Sequence, residues 1–307
     1  MSKIRVASRT SALAMTQTKW VIARLQELSP DNEFDIVPVV TKGDKIVDVT
    51  LSKVGGKGLF VSEIEETILS KSADLAVHSL KDVPAELAPG LTLSAFPVRA
   101  DARDAWISKT GEDLRSIRQG ARVGTSSLRR VAQLRRVRPD LDIASIRGNI
   151  DTRLRKMRDG EFDAIVLAAA GLQRMGWEHE ITAYLEPEMC LPAVGQGILG
   201  IECRADDTEL LGLLSQINDE LTHLAAIAER SLLFSLNGSC QVPIAGYAVV
   251  SGDKSTVRLR GLVASVDGHT MLTAEHEGSD PVQVGLKVAA DLREHGADVL
   301  LAQEQTD

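Results

Sequence analysis

The chain has 307 residues, 44% of them apolar and 25% charged, with three cysteines. That length suits two to three domains, and the composition excludes bulk disorder and fibrous repeats. The longest run without a polar residue, Ala164–Leu172, is far short of the ~20 a bilayer span needs. Met1–Thr10 lacks the apolar stretch of a signal peptide, so a cytoplasmic protein with no membrane partner is expected. Cys190, Cys203 and Cys240 stand at no metal-ligand spacing, which argues against both a zinc site and a disulfide scaffold.

The net charge is −8, which disfavours a nucleic-acid partner. The distribution is uneven, however. Between Arg99 and Arg174 stand fifteen Arg and two Lys against ten acids, a surplus of seven, so the remainder of the chain carries −15. Arg predominates there, and a planar guanidinium pairs two-pronged with carboxylate or phosphate.

In chain order, Ile4–Ala7 reads as a strand, and Leu13–Leu28 as a helix through Ala14, Thr18, Val21, Leu25 and Leu28. Phe34–Val40 is a second strand. Residues Thr41–Gly58 carry four lysines and four glycines without an apolar period, and are expected to form a mobile lid in which Lys53 and Lys57 meet incoming anions. Phe60–Leu69 is helical, and Asp74–Val77 is a strand ended by His78-Ser79-Leu80-Lys81-Asp82-Val83-Pro84. The arginine-rich third repeats this design: strand Arg122–Gly124, a helix through Leu128, Val131 and Leu134, strand Asp142–Ile146, a helix through Ile150, Leu154 and Met157, and strand Asp163–Ala168. Strand-helix alternation means mostly parallel sheets with covered faces, and ligands commonly sit between such domains at the carboxyl ends of strands. A helix over Glu220–Leu236 then precedes three strands, Tyr247–Val250, Thr256–Ala264 and Met271–Glu275, whose turns hold Gly252-Asp253 and Asp267-Gly268. Val282–Glu294 closes as a helix. The fold class expected is therefore α/β, with two α/β domains and a small α+β C-terminal domain.

No dinucleotide or phosphate-loop fingerprint is present, and the six His form no metal pair. Ser8-Arg9-Thr10-Ser11 and Thr125-Ser126-Ser127 each lie where a strand delivers the chain to a helix amino terminus, whose free N–H groups favour anions. Arg129, Arg130, Arg147, Arg153 and Arg174 flank the second, and together they suggest a polyanion site. Arg129 and Arg130, adjacent on one helix, should diverge by about 100° and so serve different carboxylates. Lys81-Asp82 ends a buried strand, where an acid would face the same cleft. Cys240 lies in a loop of small residues, while Cys190 and Cys203 border apolar stretches and read as packing residues.

Six segments in order carry a resemblance: "KVGGKGLF" (53–60), "AVHSLKDVP" (76–84), "VGTSSLRR" (123–130), "IRGNIDTR" (146–153), "LPAVGQG" (191–197) and "GSCQVP" (238–243). The chain resembles the porphobilinogen deaminase (hydroxymethylbilane synthase) family from end to end, departing at Ser239, where the family often has Gly. The resemblance implies a transferase that joins four porphobilinogen units head to tail into hydroxymethylbilane, releasing ammonia each time. It implies one dipyrromethane cofactor per chain, attached covalently through Cys240 as primer, and a catalytic Asp82. Lys81, Ser127, Arg129, Arg130 and Gln196 would hold the cofactor, and Arg9, Ser11, Arg147, Arg153 and Arg174 the substrate carboxylates. The family fold implies two periplasmic-binding-protein-like domains, 1–97 with 198–216 and 98–197, and a third, 217–307, bearing the cysteine. No metal, nucleotide or pyridoxal phosphate is implied, and a monomer is expected. The competing reading, a non-catalytic binder of a small dicarboxylate, needs the arginines but has no use for Cys240 or Asp82, and its intact mass should equal the sequence mass.

Overall fold

Three sheets organise the chain. The computed structural model describes residues 3–45, 58, 60–237 and 243–303. The first sheet takes β1 (Lys3–Arg9), β2 (Glu33–Val39), β3 (Leu75–Ser79), β4 (Leu91–Ala95) and β10 (Leu199–Arg204), in the order β2-β1-β3-β10-β4. The second takes β5 (Asp104–Ser108), β6 (Arg122–Gly124), β7 (Asp142–Ala144), β8 (Ala164–Ala168) and β9 (Ala183–Leu185), in the order β7-β6-β8-β5-β9. The central strands β3 and β8 are almost wholly buried, as strands covered on both faces must be.

The two sheets match strand for strand. In each, the first three strands pair in parallel and the fourth and fifth pair antiparallel. The expectation of mostly parallel sheets thus becomes a finding of two mixed ones. The reason is connectivity. β5 is entered by chain arriving from the first sheet, and β10 by chain returning from the second. Neither follows a local βαβ crossover, so neither has its direction set by one. Both are short and fully or nearly fully buried, without the alternation that marks a half-buried strand.

The two crossings lie side by side. Ala100 N–H donates to the Gly197 carbonyl at 3.0 Å. Gly197 has φ +86°, and a Cβ there would stand 2.5 Å from the Ala100 carbonyl oxygen, so glycine is required where the crossings touch.

The last third forms an antiparallel sheet of β11 (Ile244–Val250), β12 (Val257–Ala264) and β13 (Met271–Gly278), in that order. Helices Glu220–Ser235 and Pro281–Glu294 cover it through Leu232, Val288 and Leu292 packed on Leu259 and Val263. Its hairpin turns close by Ser251 N–H to Thr256 and Ser265 N–H to Thr270, at the two Gly-Asp and Asp-Gly signals. The fold class is the expected α/β, two five-stranded sheets with helices, together with a small three-stranded α+β unit. Among the described residues no helix is long and apolar enough to cross a membrane.

Candidate active site

Strand β3 runs buried from Leu75 and ends in a single tight turn, Leu80–Asp82, closed by Val83 N–H donating to the Leu80 carbonyl at 3.1 Å. Leu80 and Val83 are each 2% exposed and pack with Phe96, Ile198 and Ala226. Apolar residues three apart anchor the turn, which leaves Lys81 and Asp82 between them outside that core.

Opposite stands the helix Leu128–Val137, capped by Ser127, whose side chain accepts from Arg130 N–H. Arg129 and Arg130 are buried, and both reach one carboxylate, Asp104 at the start of β5. Arg129 donates from Nη1 to Oδ2 at 2.8 Å and from Nη2 to Oδ1 at 3.1 Å. Arg130 donates to Oδ1 from Nε at 3.0 Å and Nη2 at 2.7 Å. Gln196 Nε2 adds a bond to Oδ1 at 3.0 Å, and the Cys190 thiol one to Oδ2 at 3.2 Å. The two arginines therefore share one carboxylate within the protein, and diverge only to separate carbonyls, Arg129 to Leu191 at 2.6 Å and Arg130 to Val166 at 2.9 Å. Long side chains bend back from diverging Cβ directions to share the one buried anion. Burial alone would push the Asp104 carboxyl up, but Arg129 and Arg130 hold it well below the usual carboxylate range. Asp104 was not singled out by sequence. Its one signal is an acid opening the otherwise apolar run Asp104-Ala105-Trp106-Ile107.

More cations gather around this pair. Burial pushes the Lys81 ammonium below its ordinary value, with Asp82 opposing, Arg130 adding, and Asp104 and Arg129 acting more weakly. The Arg153 guanidinium is pushed down to about 10 by burial, then by Arg130 and Arg147, with Asp82 opposing. Arg153 Nε donates to the Gly148 carbonyl at 2.8 Å, and Gly148 adopts φ +110° at the entry to the helix Ile150–Arg158. Asp82, Arg130 and, more weakly, Arg129, Asp104 and Arg147 thus stand close enough to Lys81 or Arg153 to act on its charge. Five cations face two carboxylates, and a buried Nε of Arg129 has no hydrogen-bond partner among the described residues.

Of the other expected site residues, Arg9, Ser11 and Arg174 make their contacts away from Asp104, while Gln196 bonds it. Arg9 pairs through Nε with Asp44 at 3.2 Å and stacks on the Phe60 ring at 4.3 Å. Ser11 caps the helix Ala12–Leu28, accepting from Ala14 N–H at 3.3 Å. Arg174 donates to the Gly197 carbonyl at 2.8 Å, at the crossing, and burial pushes its guanidinium down to about 10. Gln196, beside that crossing, is buried with Nε2 also on the Ala102 carbonyl at 2.6 Å. Cys240, Lys53 and Lys57 lie outside the described residues. Cys190 and Cys203 are fully buried; Cys203 packs in a core as the sequence suggests, whereas the Cys190 thiol, pushed up to about 12 by burial, also donates to Asp104.

Residues 4–212 match the family model "Porphobilinogen deaminase, dipyromethane cofactor binding domain", and residues 223–294 match the porphobilinogen deaminase C-terminal domain. The chain belongs to the porphobilinogen deaminase family. It is 56% identical over 302 residues to the porphobilinogen deaminase of Bacillus subtilis (strain 168), covering 98% of this chain and 96% of that one. It is 55% identical over 308 residues to that of Bacillus pumilus, covering 100% and 99%. Members of the porphobilinogen deaminase family are enzymes, and so is this chain. Among solved structures it is similar to the substrate binding domain of a putative molybdenum ABC transporter from Clostridium difficile, at TM-score 0.44 and 7% identity, covering 72% of this chain and 93% of that one.

Proposed function

We propose that the chain condenses four porphobilinogen units into the linear tetrapyrrole hydroxymethylbilane, primed by dipyrromethane bound through Cys240, with Asp82 as the catalytic acid. It is a transferase of tetrapyrrole biosynthesis. One observation carries the reading within this fold: a buried or half-buried surplus of guanidinium and ammonium charge gathered around the half-buried carboxylate of Asp82. Porphobilinogen bears an acetate and a propionate, so the chain being built is a polycarboxylate, and the surplus suits it.

The residues present fit dipyrromethane. The unpartnered Arg129 Nε and the excess of cations over carboxylates around Asp104 call for further anions. Lys81, Ser127, Arg129, Arg130 and Gln196 would hold its carboxylates. When bound, the cofactor supplies the pyrrole carbon to which the first unit is joined. Each addition breaks the C–N bond of the aminomethyl group, releases ammonia and forms one C–C bond. Positive charge develops on a pyrrole nitrogen as ammonia leaves, and Asp82, pinned between Leu80 and Val83, stabilises that charge and takes up the proton displaced from the ring carbon. Arg147 and Arg153 would orient incoming carboxylates across the cleft, joined by Arg9, Ser11 and Arg174. Lys53 and Lys57 would meet them first. Thiolate attack suits Cys240, because both other thiols are buried. The three units would divide as 1–97 with 198–216, 98–197 and 217–307, in a cytoplasmic monomer.

Intact mass tests this. Purified protein should exceed its sequence mass by one dipyrromethane, and Cys240→Ser should show none of the excess and melt lower. A mass equal to the sequence in the unsubstituted protein removes the primer. Retention of the excess in Cys240→Ser moves the attachment to another residue.

A further inference from the structure

The turn bearing Asp82 is held from below by the third unit. Helix Glu220–Ser235 presents Ala226 and Arg230 four residues apart, hence on one face. Ala226, fully buried, packs in the cluster that contains Leu80 and Val83, the two anchors of the turn. One helical turn on, Arg230 Nη2 donates to the carbonyls of Pro84 and Ala85 at 3.0 and 2.9 Å, immediately after the turn.

That segment has few other fixings. Pro84 has no N–H to offer; Leu80 N–H ties the start of the turn to the Ile198 carbonyl at 2.9 Å, and Val83 N–H closes it on Leu80. The next tie along the chain is Ala88 N–H to Glu65 Oε1 at 2.9 Å. Two carbonyls held by one charged donor therefore set where the chain leaves Asp82, and charge-assisted bonds are the stronger kind.

The arrangement carries a cost that an incidental contact would not. Burial pushes the Arg230 guanidinium down, with Glu202 opposing, and Arg230 Nη1 is buried with no hydrogen-bond partner among the described residues. Glu202, on β10 and fully buried, already bonds His78 Nε2 at 2.9 Å. An arginine placed under such conditions is tolerated where its geometry is used. The helix that carries it runs on toward Cys240, ten residues further along the sequence.

We propose that Arg230 is a positioning residue for Asp82: it sets the catalytic carboxylate from the third unit without touching substrate. This rests on the reading of Asp82 as the catalytic acid. A displacement of about 1 Å in a reacting group costs up to ~10²-fold in rate. Arg230→Met should therefore lower kcat by about ten- to a hundredfold, with KM for porphobilinogen and the mass excess of the primer unchanged. Arg230→Lys should recover part of the loss, since an ammonium can still donate to one carbonyl. The Val83 amide should exchange with deuterium faster in Arg230→Met.

The deciding measurement is a double-mutant cycle with Asp82→Asn. If Arg230 acts through Asp82, the double variant is no slower than Asp82→Asn alone. Losses that multiply would make Arg230 a general structural support and overturn the proposal, as would a raised KM with unchanged kcat or unaltered Val83 exchange. Should Arg230→Met fail to fold, the same cycle run with Arg230→Lys decides it. If Asp82→Asn by itself is as fast as the unsubstituted enzyme, the catalytic reading of Asp82 falls and the positioning role falls with it. A slow Asp82→Asn with multiplying losses overturns the role of Arg230 alone.

Discussion

Asp104→Asn offers the sharpest test of how the cationic cluster is held. The side chain keeps its shape and loses its charge. Asp104 accepts four bonds from Arg129 and Arg130, one from Gln196 and one from the Cys190 thiol. An amide offers one oxygen to those donors and turns an NH2 group toward the others. Two buried guanidinium groups then lack a counterion, and breaking a buried pair by removing one partner typically costs about 3–5 kcal/mol. For a protein of this size that corresponds to a fall in Tm of roughly 6–20 °C. The loss should depend on the primer. In the primed enzyme the carboxylates of dipyrromethane supply compensating charge, so calorimetry should show a smaller fall there than in the Cys240→Ser background. The pH dependence has a definite sign. The Asp104 carboxyl is held below its unfolded value, so its stabilisation is complete above about pH 4 and is lost as pH falls further toward the folded value. The gap in Tm between wild type and Asp104→Asn should therefore be constant from pH 8 to about 5 and shrink below about 4. An equal fall with and without primer would refute the sharing of Arg129 and Arg130 between Asp104 and the cofactor. No fall in either background would refute the central place of Asp104 itself.

Asp82→Asn should slow every condensation step by about 10²–10³, the usual loss when a stabiliser of developing charge is removed, while primer and substrate still bind; single-turnover rates within tenfold of wild type would exclude it as the catalytic acid. Replacing Arg129, Arg130, Arg147, Arg153 and Arg174 singly by Leu should stall the growing chain at different lengths, each lost contact costing about 1.5–3 kcal/mol, and intact mass should show enzyme with one, two or three added units accumulating. Equal slowing by all five with no change in that mass ladder would reduce the arginines to a diffuse field.

Much of this was written locally. The helices over Ala12–Leu28, Leu128–Val137 and Glu220–Ser235 and the three C-terminal strands follow from apolar period, hydroxyl caps and Gly-Asp turns, all of which act within a few residues. The concentration of arginine was equally plain, because charge density is a property of composition. The antiparallel strands β5 and β10 were not. Their direction comes from where the chain returns after visiting the other sheet, and a short buried run does not record that.

Chain position made Asp82, the arginines and Cys240 candidates, since residue types around strand ends and loops are written in order, and the resemblance to the family supplied the roles expected of them. The tertiary structure decided their partners. Arg129 and Arg130 meet Asp104 from 25 and 26 residues away, and Arg230 reaches Pro84 from 146. Such pairings turn on burial: a charge withdrawn from water must find a counterion or carbonyl wherever the packed elements bring one, and nothing local to either residue specifies which it will be.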